Sequence, residues 1–439
     1  MGLCCRWGTI FESESEVGMI DVIKRILDKN NEISDYEIIQ TKTSSSQLFY
    51  VLDKLETNRV TKNVDTNVII YHDHDEYRGS SSFIVNASDD ENSISLKIDS
   101  AIAIAKKINN PKFVLADKTD DKLVTFDSIS DANYNDACVK IADAIFSAKH
   151  DENGWINSVE IFVTNIEKHF VNSNGVDHTF NKSYLEVEII PTYSNNNEEI
   201  ELYLDFKMLE LDYDLITKKV EDVLKQAKLR SNAVNIEDYM KHCPVVIQDE
   251  MLAMIMENFA TDISYQSVFN KANHYQINDK ICDYDLNITV GPYAKNAVYS
   301  YPFDNHGLVI KEVDIIKNGI VCANYGGFIY GQYLKKDKIN GNASIIKVDT
   351  TNRCKITYPY LEICNFSSPQ LEEATGYFGG EIRLAIYHDK DGNMIPVTNF
   401  SISGNIYHDI KEARFADSDV TLDYYKGPKY IIFDHMSVN

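Results

Sequence analysis

The sequence predicts an α+β fold with an N-terminal α/β domain, containing a mixed sheet and helices, and a C-terminal, mainly antiparallel β domain. Helical patterns of apolar residues recur through the first half of the 439-residue chain. Beyond one further helix near residue 250, strand and turn patterns dominate. Tyr and Phe favour strands, and the 27 Tyr and 19 Phe residues therefore support a β-rich chain.

Composition limits the function classes. The chain is 44% hydrophobic and 25% charged, which is typical of a soluble globular protein. Its formal net charge of −24 argues against nucleic-acid binding, because contacts to phosphate need a basic surface. The sequence contains no apolar run of about 18 residues, so no membrane span is predicted. None of the eight cysteines forms a Cys-x-x-Cys pair, so we expect reduced thiols and a cytoplasmic protein.

The first residues have no strong structural pattern. They lack the apolar centre of a secretory signal, and Arg6 stands where a myristoylation pattern needs Ser or Thr. The periodic pattern begins at Met19. We therefore expect residues 1–18 to be a disordered leader or a misassigned start, followed by an N-terminal domain at 19–235 and a C-terminal domain at 236–439.

Four amphipathic helices are predicted in the N-terminal domain, because apolar residues recur at spacings of three and four. They are expected around residues 20–27, 94–108, 131–149 and 212–229. Between them, segments rich in Ile, Val, Tyr and Phe predict strands and hairpins. These segments are 35–42, 47–55, 67–71, 81–85, 158–163, 168–171, 178–181, 184–193 and 199–207.

The C-terminal domain is predicted to open with a short buried strand at 245–247 and a helix from about Asp249. The apolar face of that helix follows the spacing i, i+3, i+4, i+7, i+11. Its members are Leu252, Ile255, Met256, Phe259 and Ile263. Strands follow at 287–290, 308–316, 320–325, 345–348, 381–387, 395–403 and 430–433.

Four short motifs appear in a fixed order along the chain. They are the hairpin at Gly175, the Pro-Val-Val strand at 244–246, the turns between Asp304 and Gly319, and the segment 398–406. In this order they resemble the TldD/PmbA family, also called modulators of DNA gyrase, over roughly residues 20–439. The resemblance implies a dimer that encloses a cleft. Proteolytic members of the family carry a zinc motif, His-Glu-x-x-x-His, on the helix that follows the Pro-Val-Val strand.

This chain departs from the zinc motif at each matching position. The two motif histidines correspond to Glu257 and Asp262, and the catalytic Glu corresponds to Asn258. The family's third ligand is a Cys near the C-terminus, and residues 420–439 contain no Cys. A peptidase zinc needs about three protein ligands and an open position, and an amide cannot act as a general base. We therefore expect no cofactor here, although catalytic relatives use zinc.

Two metal-binding alternatives remain open. Glu257 and Asp262 could bind a metal as carboxylates with His306, but they lie about 140° apart around a regular helix. Two solvated carboxylates on the polar face are the simpler interpretation. His72 and His74 share one face of a predicted strand, which could suit a metal, whereas a polar hairpin turn is the simpler interpretation.

Further departures concern the walls of the implied cleft. Asp304 and Gly307 match a family turn, but His306 replaces its Glu. Tyr377 and Gly379 replace an Asp and a Ser in a family segment that the resemblance places in a loop beside the cleft. We therefore interpret these residues as altered cleft or turn positions, with His306 also a candidate ligand.

The leading functional prediction is a protein related to zinc metallopeptidases that degrade or process small unfolded peptides, but itself non-catalytic. It would act as a peptide-binding homodimer or as the partner of a zinc-bearing TldD-like subunit, without contact to nucleic acid or membrane. The alternative is an active metallopeptidase with unconventional ligands. A structural protein unconnected with peptides is a third possibility.

Overall fold

The computed structural model describes residues 15–130, 133–195 and 198–439. It confirms the predicted α+β class, with helices and mainly antiparallel strands. Most of the predicted leader, residues 1–14, lies outside the described residues, and the first helix begins at Ser15, four residues before Met19. Among the described helices, none has the length and apolar character needed to cross a membrane.

The helices and strands have the following bounds. The helices are α1 (Ser15–Asp28), α2 (Glu91–Ala105), α3 (Tyr134–Phe146), α4 (Tyr213–Ser231), α5 (Asp249–Asp262), α6 (Tyr265–Asn270), α7 (Phe328–Tyr333) and α8 (Ile406–Asp409). The strands up to the start of α5 are β1 (Asp35–Val51), β2 (Lys54–His74), β3 (Tyr77–Val85), β4 (Asn110–Pro111), β5 (Gly154–Asn172), β6 (Asp177–Asn195), β7 (Glu198–Glu201), β8 (Leu204–Met208), β9 (Val234–Asn235) and β10 (Val245–Gln248). The later strands are β11 (Leu286–Gly291), β12 (Val313–Lys317), β13 (Ile320–Val321), β14 (Ile345–Thr350), β15 (Tyr360–Glu372), β16 (Tyr377–His388), β17 (Met394–Thr398), β18 (Phe400–Asn405), β19 (Arg414–Phe415), β20 (Asp419–Thr421), β21 (Tyr425–Pro428), β22 (Tyr430–Phe433) and β23 (Ser437–Val438).

These strands form three sheets. The first has the order β4-β3-β2-β1-β5-β6-β7, with β8 also pairing with β6. The second has the order β19-β22-β10-β15-β16-β17-β9, and β18 joins it to β23. The third has the order β13-β12-β11-β14-β21-β20. Parallel pairs are β10 with β15, β14 with β21, and β17 with β9, so the predicted antiparallel character of the C-terminal region holds for most pairs.

The chain divides into two compact units. The smaller comprises the described residues of Met1–Thr41, Val64–Lys118 and His169–His178, and the larger comprises those of Lys42–Asn63, Thr119–Lys168 and Thr179–Asn439. The smaller unit has its own core, in which α1 and α2 supply residues such as Ile23 and Ile98. The largest core of the other unit lies around α5 and the second and third sheets. The predicted domain boundary at 235/236 stays a prediction.

Several local predictions were wrong. The strands predicted at 199–207 and 395–403 are each two shorter strands, and the strand predicted at 308–316 begins only at Val313. The strand predicted at 47–55 is broken by a turn at Leu52 and Asp53, because Leu52 adopts a positive φ of 56°. The strands predicted at 158–163 and 168–171 are both parts of β5. The sequence analysis predicted no strand between 348 and 381, where the structure has β15 (Tyr360–Glu372).

The strand before α5 lies inside the second sheet. β10 pairs with β15 on one side and β22 on the other, and Val245 and Ile247 have no exposed surface. α5 packs the predicted apolar face into the same core, since Leu252 and Phe259 are also fully buried. Burial of each such side chain stabilises the fold by about 1.5–3 kcal/mol, so α5 is held firmly.

A buried lysine anchors the loop that follows β11. Lys182 on β6 is 1% exposed, and its Nζ donates hydrogen bonds to the carbonyl oxygens of Val298, at 2.6 Å, and Ser300, at 3.3 Å. The ammonium also lies 3.5 Å from the ring centroid of Tyr301. Burial, with repulsion from Lys168, lowers the pKa of Lys182 to about 7.

We expect the stability of the protein to depend on pH through Lys182. Its folded pKa of about 7 lies below its unfolded value near 10.4, so between these pH values the unfolded chain binds more protons. Raising the pH from 7 to 9 should therefore stabilise the wild type by about 2 kcal/mol more than Lys182→Met. Denaturant unfolding of both proteins at the two pH values measures this difference. If the difference in free energy of unfolding between the two proteins is the same at both pH values, Lys182 does not take up a proton when the protein unfolds.

Candidate functional site

The first altered motif position, Glu257, lies on the exposed side of α5. The hydroxyl of Tyr424 donates a hydrogen bond to its carboxylate, and Glu373 repels it. Although the side chain is solvent accessible, partial dehydration by surrounding protein raises the pKa of Glu257, and the repulsion from Glu373 adds to this effect. The prediction that Glu257 points away from the apolar face is confirmed.

The second position, Asn258, is 2% exposed. Its Nδ2 donates a hydrogen bond to Tyr407 Oη at 3.1 Å, and Tyr407 Oη in turn donates to the carbonyl oxygen of Glu373 at 2.7 Å. Asn258 Oδ1 is buried without a hydrogen-bond partner among the described residues. An amide has no titratable proton near neutral pH, so Asn258 can orient Tyr407 but cannot serve as a general base.

The third position, Asp262, forms part of the local backbone structure. It is 5% exposed, and its two carboxylate oxygens accept hydrogen bonds from the backbone N–H of His274, at 2.5 Å, and of Tyr275, at 2.9 Å. Burial raises the pKa of Asp262, whereas these backbone donors act in the opposite direction. The interpretation of Asp262 as a solvated carboxylate was wrong, because the segment that follows α6 covers it.

The residues present do not fit a zinc site. Among the described residues, no three His, Cys, Asp or Glu side chains form a group that could hold a metal ion. Glu257, Asp262 and His306 are therefore not brought together as the alternative set of ligands requires. Glu257 and Asp262 instead bind different partners, the Tyr424 hydroxyl and two backbone amides.

The turn at Asp304 is organised by its buried carboxylate. Asp304 Oδ1 accepts hydrogen bonds from the N–H groups of His306, at 2.9 Å, and Leu308, at 3.1 Å, and Oδ2 accepts one from Asn342 N–H at 3.1 Å. Gly307 has a φ of 74°, which favours glycine at this position of the turn. The His306 ring packs edge-on against Phe328, with centroids 5.4 Å apart. Asp304 and Gly307 thus shape a turn.

Tyr377 and Gly379 lie in strand β16, which contradicts the expected loop. Tyr377 starts the strand opposite Asn405 of β18, and its side chain is 45% exposed. Gly379 pairs with Ser403, and a Cβ atom at this glycine would lie only 2.2 Å from the carbonyl oxygen of Ile402. Close approach of two strands therefore accounts for the glycine at this position.

His72 and His74 lie on one face of β2, as predicted. Their rings stack with centroids 5.7 Å apart. His72 Nδ1 lies 2.6 Å from the carbonyl oxygen of Glu32, and His74 Nε2 lies 2.8 Å from Asn109 Oδ1. These contacts are those of a polar hairpin, and no metal-binding group includes either histidine in the part of the chain that is described.

Sequence reasoning missed the aromatic residues that contact the altered motif. The exposed His274 ring stacks on Tyr407 at 4.1 Å with an interplanar angle of 3°. Phe259 and Tyr275 pack around the same tyrosine. Burial raises the pKa of Tyr407 to about 12, so it remains a hydrogen-bond donor at neutral pH. Tyr407 directly follows the family-like segment 398–406, which was the available signal for it.

Comparison with known proteins identifies relatives of this chain. Residues 240–439 match the family model described as the PmbA/TldA metallopeptidase C-terminal domain. A Haemophilus influenzae protein named metalloprotease PmbA homolog is 23% identical over 310 residues, which span 65% of this chain and 64% of that relative. These matches confirm the family resemblance seen in the sequence.

Two solved structures share the fold. TldE from Thermococcus kodakarensis superposes with a TM-score of 0.75 at 14% identity, covering 96% of this chain and 99% of that one. A protein from Bacteroides thetaiotaomicron, described as a proposed modulator of DNA gyrase, has a TM-score of 0.78 at 15% identity, covering 96% and 98%. At these identities the two structures establish similarity of fold alone.

Substitution by Ala should lower the free energy of unfolding much more at Asp262 than at Glu257. Asp262→Ala leaves two backbone N–H groups without acceptors, and we expect it to lower the free energy of unfolding by about 2–4 kcal/mol. Glu257→Ala, on the exposed side of the same helix, should change it by less than about 1 kcal/mol. Chemical denaturation of the two variants tests this, and equal losses would contradict the structural role assigned to Asp262.

Proposed function

Because this chain belongs to the TldD/PmbA family through its C-terminal domain, we propose that it is a non-catalytic relative of zinc metallopeptidases that binds unfolded peptides. In this proposal it acts as a homodimer or as the partner of a zinc-bearing TldD-like subunit. It requires no metal or other cofactor, and it does not cleave the peptide by itself.

The main support for this proposal is that the Asp262 carboxylate accepts two backbone hydrogen bonds. A zinc-binding histidine at this position would direct one ring nitrogen to the metal and carry a proton on the other, so its ring could accept neither backbone hydrogen bond. Here both N–H groups, of His274 and Tyr275, bond to the Asp262 carboxylate. Asn258 supports the same conclusion, because its amide cannot activate a water molecule for attack on a peptide bond.

The exposed edge of α5 has chemistry suited to binding. Glu257 and Glu373 repel each other, and no Lys, Arg or His side chain pairs with either among the described residues. A ligand that places a positive charge beside Glu257 would relieve this repulsion, so we propose that the peptide contributes an amine or guanidinium there. Tyr377, 45% exposed on β16 and four residues after Glu373, could offer the peptide an aromatic contact.

Metal content and hydrolysis separate the proposed function from its alternative. Protein purified without chelator should contain far less than one zinc per chain and should not cleave a quenched unstructured peptide, because its motif positions lack ligands and base. Elemental analysis and a fluorescence assay with and without chelator measure both quantities. Stoichiometric zinc with chelator-sensitive cleavage would instead establish an active metallopeptidase.

Peptide binding tests the positive part of the proposal. A fluorescent, unstructured peptide that contains Lys and Arg should bind, and Glu257→Lys should weaken its affinity about tenfold through charge reversal. Glu152→Lys, in an exposed turn remote from α5 in sequence, is the matched control and should bind as the wild type does. Absence of binding in fluorescence anisotropy at all concentrations would favour a structural protein unconnected with peptides.

A further inference from the structure

An open pocket lies where the third sheet meets a strap of irregular chain. The strap, defined as residues 119–130, lies between β4 and α3 in the sequence and has no regular secondary structure. Part of the strap lines the pocket on one side, and residues next to β11 and β12 and a lysine of β14 line the rest. The pocket has a volume of about 380 Å³, which is within the range of small-molecule sites. It contains no residue of α5.

Three contacts fix the strap. The Phe126 ring stacks on Tyr293, with centroids 5.4 Å apart and an interplanar angle of 8°. Ser128 Oγ accepts a hydrogen bond of 3.2 Å from the backbone N–H of Ser183 on β6. Ile129 is buried in the core that also contains α3 and β5. The pocket therefore exists before a ligand binds, and binding does not carry the cost of ordering a loop.

The apolar part of the lining favours a hydrocarbon group. Val309 and Ile310 line the pocket and are otherwise buried. Pro292 and the partly exposed Tyr293 also line it, and Val124 lines it from the strap. An aromatic ring or a branched alkyl group placed here would remove apolar surface of the pocket from water, and a ring could also stack on Tyr293.

The charged part of the lining is cationic, with three lysines against two carboxylates. Asp121 pairs with Lys311 at 2.8 Å. Glu312 pairs with Lys347 on β14. The third lysine, Lys122, pairs with no carboxylate in the part of the chain that the structure describes. An anionic group on a ligand would give this ammonium the partner that it lacks.

We propose that this pocket binds a small organic acid that carries one aromatic or branched apolar group. The apolar group lies against Tyr293, Val309 and Ile310, and the carboxylate binds the Lys122 ammonium. The site is distinct from the proposed peptide surface at Glu257, because its lining favours an anion whereas that surface favours a cation. The proposal does not depend on peptide binding.

The net charge of the whole chain does not prevent an anion from binding here. The chain carries −24, but at physiological ionic strength a charge is screened beyond about 8 Å. The charges that line the pocket therefore dominate the interaction with a bound ligand. Since Asp121 and Glu312 are each paired with a lysine, they repel a carboxylate in the pocket only weakly.

Three matched ligands test the preference for an acid. The probes 3-phenylpropanoate, its neutral amide and 3-phenylpropylamine have the same ring and nearly the same length, but differ in charge. The wild type should bind the acid with a Kd of about 1 mM or tighter, and the amide and the amine at least about threefold more weakly. Ligand-observed NMR titrations of the full chain measure the three dissociation constants.

Lys122→Glu should reverse this preference. It replaces the lysine that has no carboxylate partner by a carboxylate, so the acid should bind at least about tenfold more weakly and the amine more tightly than to the wild type. A gain in amine binding cannot result from loss of fold. Lys390→Glu, at an exposed position in the turn between β16 and β17, changes the net charge equally and should leave all three constants unchanged.

Val124→Trp tests whether the ligands occupy the pocket itself. The indole would fill the apolar part, so all three ligands should lose saturable binding, while the circular dichroism spectrum and the melting temperature stay those of the wild type. The proposal would be overturned by a wild type that does not bind the acid saturably, by equal affinity for the three ligands, or by an unchanged preference in Lys122→Glu. Acid binding that persists in a folded Val124→Trp variant would also overturn it.

Discussion

The two hydrogen bonds accepted by Asp262 determine the arrangement of the whole candidate site. A buried carboxylate is costly unless its oxygens are satisfied, and here both oxygens bond to backbone donors of the segment after α6. This fixes His274 against the Tyr407 ring. Tyr407 is thereby positioned to accept from Asn258 and to donate to the loop that carries Glu373. One carboxylate thus links the end of α5 to three distant segments.

The three altered motif positions are consistent with one another. Tyr407 Oη donates to the Glu373 carbonyl oxygen and accepts the N–H of Asn258. An asparagine supplies this N–H, whereas an ionised glutamate has no proton to donate to the hydroxyl. The Asn258 side chain therefore fits the hydrogen-bond pattern around Tyr407. Replacement of Asp262 by histidine would likewise remove one of two needed acceptors.

The sequence predicted the buried face of α5, which follows from helical periodicity. It did not predict contacts between segments that are distant in the chain. The apolar face from Leu252 to Ile263 packs as its spacing predicted, because helical geometry alone places those residues on one side. Asp262 was assigned to solvent by the same geometry, and this was wrong because residues 274 and 275 fold back over the helix end. β15 was missed since its second half alternates weakly, with exposed Ser, Gln and Glu side chains beside partly buried ones. Contacts of this kind depend on pairing that no local pattern encodes.

The position of α5 is independent of a metal. In sites where zinc is structural, the ligands hold the fold together, and removal of the metal unfolds it. Here the helix is held by fully buried apolar side chains that contact the core of the second and third sheets, and Leu252, Ile255 and Phe259 alone are worth several kcal/mol. The exposed edge of the helix can therefore exchange ligands for hydrogen-bonding groups without displacing the helix. The helix thus divides into an apolar face that fixes its position and a polar edge whose side chains can vary without moving it.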